Sequence, residues 1–411
     1  MAGFVMIEMT CAEVAAVLGG SLHGLGESAE AVVIRSVVVD SRAVTDGAMF
    51  VAIAGAKVDG HDYAQAAVQA GAAVVLSARE LPLPCIVVAD PVEGLGRLAQ
   101  WVRRQRLRAT VVGITGSSGK TSTKDLVAAV LSTAGPTVAA PGSFNTEVGV
   151  PLTILSAEES TRFLVLEMGM RGMGHIEYLC NIAEPDIAVI LNVGSAHVGM
   201  LGSVESIAEA KGEIIAGLAA DGIAVLNGDD ALALSQAERT LARVVTFGTG
   251  SMCQVRATDQ RMNTDARAAF TLHDAQSSQA VPVTLRYPGE HFISNALAAA
   301  AVGLCCGLPI DVIAVALRAA EPASPLRMQI QEQAHGITVI NDAYNANPES
   351  TAAALRTLVT MAAGRRSWAV IGEMRELGDA STQAHVDIGR LVAELGVSRL
   401  IAVGQPSQAL V

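Results

Sequence analysis

Val111-Val112-Gly113-Ile114-Thr115-Gly116-Ser117-Ser118-Gly119-Lys120-Thr121 runs a β-branched apolar segment into a Gly/Ser loop and then a Lys-Thr pair. The pattern predicts a strand, a phosphate-cradling turn and a helix over 122–131. Gly116 and Gly119 let the backbone of Ser117 and Ser118 turn its N–H groups inward, and the helix start at Ser122 adds partial positive charge. Lys120 reaches terminal phosphates, and Thr121 supplies a hydroxyl for Mg²⁺. Counting back from Gly119, the first glycine of the ordinary motif falls on Ile114, with Gly113 and Gly116 the nearest glycines. The spacing therefore favours a variant nucleotide loop over a kinase or GTPase loop. A Gly-rich β–α turn in any doubly wound sheet is the plain alternative.

Composition agrees with a large α/β enzyme. At about 150 residues per domain, 411 residues predict two or three domains. The chain is 51% hydrophobic but only 3% aromatic, so Ala, Val, Leu and Ile must build the core, as in buried parallel sheets. A formal charge of −12 argues against a nucleic-acid surface and leaves anionic substrates to local positive groups. The six cysteines include no C-x-x-C pair, which predicts reduced thiols in a cytoplasmic protein. No segment has the apolar length of a membrane span, and the N-terminus lacks a signal-peptide pattern.

Three blocks are expected: 1–108, 109–318 and 319–411. The first opens with the capping box Thr10-Cys11-Ala12-Glu13 and holds strands at 32–39, 49–53, 73–76 and 85–88. Its closing basic cluster, Arg103, Arg104, Arg106 and Arg108, reads as a solvated helix end. The second alternates strands at 163–166, 187–191, 223–226 and 244–247 with helices, and extra antiparallel strands are expected between Phe247 and His273. The third follows the linker Glu321-Pro322-Ala323-Ser324-Pro325, with strands at 337–340, 368–371 and 399–403. A Rossmann-like sheet stopping at Val411 would lack its last elements, so a truncated chain or an atypical C-terminus is expected.

Ligands of open parallel sheets sit beyond the carboxyl ends of strands. Glu167, ending Phe163-Leu164-Val165-Leu166, is placed either to ligate Mg²⁺ with Thr121 or to cap a loop. His197, past the strand over 187–193, is a metal-site candidate only in that company, and otherwise structural. Lys211 sits among Ile207, Ala208, Ile214 and Ile215 in the apolar stripe of a helix over 204–218. Its amine either snorkels to water or aims inward at the nucleotide. Gly289-Glu290-His291 opens an Ala-rich helix where Asn295 either pairs with a base edge or merely starts the helix. Asp342 ends a strand where an acid can hold ribose hydroxyls.

Together these stretches resemble the Mur ligases, ATP-dependent amide-forming enzymes of peptidoglycan synthesis. The resemblance is carried by the loop 115–121, Glu167-Met168-Gly169, Ala210-Lys211-Gly212-Glu213-Ile214, His291 with Asn295, and Tyr344-Asn345-Ala346-Asn347-Pro348. Pro141-Gly142-Ser143-Phe144-Asn145, Gly149-Val150-Pro151-Leu152-Thr153, and Gly372-Glu373-Met374-Arg375-Glu376-Leu377-Gly378 with His385 look like the branch that adds D-alanyl-D-alanine. The Asp-Asn-Pro-Arg motif of the diaminopimelate-adding branch is absent. The resemblance implies an α/β architecture of three domains: one for the UDP end of UDP-N-acetylmuramoyl-tripeptide, a central P-loop-type ATPase sheet, and a Rossmann-like domain that closes over ATP. It implies that Val39-Asp40-Ser41-Arg42 and Asp59-Gly60-His61 lie near the uridine diphosphate, and that Asn145 and Thr146 face the substrate. It further implies a carbamate on Lys211 that ligates Mg²⁺ beside His197, Arg327 on the ATP phosphates and Asp342 on the ribose. Leu326 stands where the family commonly has Gly, Asn341 where a second Asp is usual and Thr146 where a second Asn is usual.

The implied reaction converts a peptide carboxylate to an acyl phosphate, which the amine of D-Ala-D-Ala then attacks. A cytoplasmic monomer is expected, with no nucleic-acid partner. The competing readings are a folylpolyglutamate-synthetase-like ligase and a non-catalytic nucleotide-binding protein.

Overall fold

A computed structural model describes residues 4–196 and 198–411. The chain divides into two compact units, one of residues 1–111, 136–168 and 178–184, the other of 112–135, 169–177 and 185–411.

The first unit opens with β1 (Phe4–Thr10), a strand the sequence reading did not foresee, and α1 (Cys11–Leu18). The Thr10–Glu13 capping box forms at the start of α1 as expected. Then come β2 (Ser21–His23), β3 (Val33–Val38), β4 (Ala48–Val51), α2 (Ala64–Gln69), β5 (Ala72–Ser77), β6 (Cys85–Val87) and α3 (Pro91–Gln105). They form a sheet in the order β1-β3-β4-β5-β6-β2, parallel from β3 to β6 and antiparallel at both edges. The basic cluster is not simply solvated. Arg103 donates to the carbonyls of Ala183 and Glu184, and Arg104 pairs with the Glu184 carboxylate, so the end of α3 is fixed to another segment of the same unit.

Along the chain follow β7 (Thr110–Thr115), α4 (Lys120–Leu131), β8 (Thr137–Ala139), α5 (Gly149–Leu155), β9 (Phe163–Glu167), α6 (His175–Ala183), β10 (Ile187–Ile190), α7 (Val198–Leu201), α8 (Val204–Ala216), β11 (Ile223–Asn227), α9 (Ala231–Ser235) and β12 (Arg243–Gly248). β8 and β9 pair in parallel within the first unit. In the second unit β7, β10, β11 and β12 lie side by side in parallel. β10 is buried at every residue and β11 at nearly all, which explains why these strands read as unbroken apolar runs. The expected extra strands are β13 (Val255–Met262) and β14 (Arg267–Asp274), and a third, β15 (Gln279–Pro288), lies wholly beyond the predicted limit; neighbouring strands in this order are antiparallel.

The Ala-rich α10 (Phe292–Cys305) is buried along most of its length, and α11 (Ile310–Ala319) leads into the Pro-bearing linker. β16 (Gln329–Gln333) and β17 (Ile337–Asn341) form a hairpin of which only the second strand was expected. It is followed by α12 (Pro348–Ala362), β18 (Trp368–Ile371), α13 (Ser381–Glu394) and β19 (Arg399–Ala402), with β18 and β19 parallel over a core of Leu355, Ile371, Met374, Ile388 and Val392.

Candidate active site

β7 ends at Thr115 and α4 begins at Lys120, leaving Gly116 to Gly119 as the turn. Gly119 has φ +80°, and a Cβ there would lie 2.7 Å from Asn295 Oδ1. A Cβ on Gly116 would lie 2.9 Å from the Cβ of Leu191. Glycine is thus required at the first position by conformation and contact, and at the second by contact. Lys120 Nζ donates to the Gly116 carbonyl at 2.7 Å, arching back over the loop, while Thr121 is buried at the first turn of α4. Ser118 N–H donates to Asn192 Oδ1 at 2.9 Å, and Asn192 Nδ2 donates back to the Ser118 carbonyl at 3.2 Å.

The segment after β10 is held amide by amide. Val193 N–H donates to the Asp230 carboxylate at 2.7 Å, Gly194 N–H to Ser117 Oγ at 2.8 Å, and Ser195 N–H to the Glu349 carboxylate at 2.8 Å. Asn347 Nδ2 donates to the Ser117 carbonyl at 3.4 Å. His197, next along this segment after Ala196, lies outside the described residues.

Lys211 is 1% exposed, so its amine does not snorkel to water. Its Nζ lies 4.0 Å from Met170 Sδ, and no carboxylate among the described residues pairs with it. Burial, and then the neighbouring Lys120 charge, hold the amine well below the usual lysine range.

In the first unit, Glu167 closes β9 and is 1% exposed. Asn145 Nδ2 donates to its carboxylate at 2.7 Å and Ser143 Oγ at 3.3 Å, so the loop before α5 caps the acid. Thr146 Oγ1 accepts the N–H groups of Val148 and Gly149 at 3.4 Å, a turn contact at the start of α5. Arg42 grips Asp40 through two N–H groups, at 2.9 and 2.7 Å, and holds that carboxyl down at about 2, with Ser41 in the same short turn. His61 is buried between the Asp59 carboxylate, 2.5 Å from Nδ1, and the Ala78 N–H, which donates to Nε2 at 3.1 Å. Both of its ring nitrogens are engaged, which makes it a bracket between two turns.

On the second unit's other elements, His291 immediately precedes α10, its ring packed against Phe292 and its pKa pushed down to about 4 by burial. Asn295, one turn on, is buried against Gly119. The Arg327 guanidinium lies 4.2 Å above the Tyr344 ring. Asp342 accepts the Met328 N–H at 3.0 Å, and burial raises its pKa. Leu326 and Met328, on either side of Arg327, have φ +58° and +47°. Both lie in the left-handed region that favours glycine. Leu326→Gly is therefore expected to stabilise the fold by about 1 kcal/mol, read as a raised urea midpoint at unchanged m-value. A lowered midpoint would show that the Leu326 side chain contributes more than its backbone costs.

Sequence reasoning did not single out Asn192, Asp230 or Glu349. Asn192 and Asp230 follow the ends of β10 and β11, so the strand-end rule that selected Glu167 would have found them. Glu349 carried no such signal, since Asn347-Pro348-Glu349-Ser350 reads as an ordinary capped helix start.

Three family models match the chain: Mur ligase family, catalytic domain, over 33–97; Mur ligase middle domain over 114–303; and Mur ligase, glutamate ligase domain, over 326–411. A UDP-N-acetylmuramoyl-tripeptide--D-alanyl-D-alanine ligase of Mycobacterium bovis is 46% identical over 97% of this chain and 84% of its own length. Among solved structures, MurF from Acinetobacter baumannii superposes with a TM-score of 0.89 at 32% identity, covering 98% of this chain and 88% of that one. MurF ligase from Thermotoga maritima in complex with ADP gives a TM-score of 0.79 at 30% identity, covering 91% and 86%. With family models matched over three stretches that make up most of the chain, and such likeness along most of each relative's length, the chain belongs to the Mur ligase family.

Proposed function

We propose that this chain joins D-alanyl-D-alanine to UDP-N-acetylmuramoyl-tripeptide at the expense of ATP, in cytoplasmic synthesis of peptidoglycan precursors. The likeness to the M. bovis ligase, whose name states this reaction, carries the substrate assignment. No described helix is long and apolar enough to cross a membrane, and all six cysteines are thiols, as suits a reducing compartment. In this reading residues 1–108 bind the UDP end of the substrate, 109–318 bind ATP, and 319–411 close over the nucleotide.

Gly116 to Ser122 cradle the phosphates, with His291, Asn295, Arg327 and Asp342 on the ATP side and Ser41, Arg42, Asn145 and Thr146 on the substrate side. Thr121, Glu167, His197 and Lys211 would hold Mg²⁺, Lys211 as a carbamate. The fit rests on Lys211: its amine is buried beside Met170, where burial disfavours an ammonium, and an amine that adds CO₂ with loss of one proton becomes an oxygen-donor anion. When bound, Mg²⁺ supplies charge neutralisation to the phosphates.

The chain's own groups do the rest. Lys120 and the loop amides offset charge on the transferring γ-phosphoryl group as the tripeptide carboxylate attacks phosphorus and ADP departs. The amine of D-Ala-D-Ala then attacks the acyl phosphate, loses a proton, and phosphate leaves. An acyl phosphate hydrolyses readily, so closure must precede chemistry.

Purified protein should release phosphate from ATP only when UDP-N-acetylmuramoyl-tripeptide and D-Ala-D-Ala are both present. Stimulation by a folate and glutamate instead would establish the competing ligase reading, and ATP binding without stimulated turnover the non-catalytic one. Arg327→Ala is expected to lower kcat by about tenfold or more while leaving ATP affinity of the free enzyme nearly unchanged, because Arg327 follows the linker and acts on closure. Equal losses in kcat and in ATP affinity by calorimetry would place it in the open-state site.

A further inference from the structure

Three consecutive amides, those of Val193, Gly194 and Ser195, follow β10. Each donates to a different part of the second unit: the β11–α9 connection, the phosphate loop and α12. The third contact is doubled, because Ser195 Oγ also donates to Glu349 Oε1 at 2.8 Å. Glu349 stands in the first turn of α12, where the helix N-terminus favours a carboxylate and the Asn347–Ser350 capping box fixes the turn. Gly194 makes room for it, since a Cβ there would lie 2.8 Å from Glu349 Oε1. One residue earlier than the helix start, Asn347 reaches the Ser117 carbonyl. The first turn of α12 thus holds both the phosphate loop and the segment leading to His197.

We propose that Glu349 is a positioning residue, which couples docking of the 319–411 block to the placement of the segment carrying His197 by capturing the Ser195 N–H and hydroxyl. The proposal rests on the ligase reading above. It requires an acceptor oxygen at this position and no net charge, because both groups it engages are neutral donors.

The test compares Glu349→Ala, Glu349→Gln and Ser195→Ala, with the Glu349→Ala/Ser195→Ala pair, in the full chain. Glu349→Ala should lower kcat about three- to tenfold and raise amide hydrogen exchange of the 192–200 segment in the enzyme without nucleotide, at an unchanged melting temperature. Glu349→Gln should restore both readouts. Ser195→Ala should cost less than Glu349→Ala, and should cost nothing further when added to it. Unchanged exchange in Glu349→Ala, equal losses in the Ala and Gln variants, or additive effects in the pair would each overturn the proposal. Wild-type enzyme that fails to ligate D-Ala-D-Ala would overturn the ligase reading itself, while the exchange comparison, which needs no turnover, still decides whether Glu349 holds this segment.

Discussion

Alanine at position 120 should lower the ligation rate by about 10²-fold or more without unfolding the protein. The Lys120 amine arches over the phosphate loop to the Gly116 carbonyl, and its side chain is only partly buried at the head of α4. Removing it leaves the glycine-directed turn and the α4 packing in place. In the proposed ligase reading what disappears is a compact positive charge beside the transferring phosphoryl group, where charge stabilisation in a water-poor site is worth several kcal/mol. Melting temperature and circular dichroism should match the parent, and the loss should appear in kcat more than in the KM for tripeptide. Near-normal turnover in a folded variant would refute the phosphate-loop assignment.

Lys211→Ala should be nearly inactive and partly rescued by acetate or propionate, which refill a carboxylate-shaped vacancy. The amine is buried among apolar neighbours, and a permanent ammonium there would carry a large desolvation cost. Lys211→Met keeps the buried volume and should fold, so its inactivity separates loss of the ligand from loss of packing. Intact-protein mass in bicarbonate and Mg²⁺ should show the addition of one CO₂ at this residue. An unmodified amine under saturating bicarbonate and Mg²⁺, together with no chemical rescue, would remove Lys211 from the metal site.

Much of this architecture was legible because parallel strands buried on both faces leave few residue choices. β7, β10 and β11 were found to within a residue or so, and so was β18, although only its alternate residues are buried. β1 and β16 were missed for a physical reason: each is an edge or hairpin strand whose polar residues, such as Glu8, Gln331 and Glu332, dilute the apolar pattern. The loop glycines, Glu167 and Lys211 announced themselves by residue type out of place. Asn295 did not show in sequence that it would back the phosphate loop, because that depends on how closely α10 approaches α4. Glu349 was illegible for the same reason, its partner being far away in sequence.

The contact between Gly119 and Asn295 also bears on the order in which the molecule is made. The nucleotide cradle is encoded early, yet the side chain that backs its left-handed corner is synthesised only after the whole central sheet has been translated. A ribosome-bound chain that has just exposed Thr115 to Thr121 therefore still lacks Asn295. The Gly119 corner can therefore gain its Asn295 backing only once α10 has been made, after every strand of the central sheet.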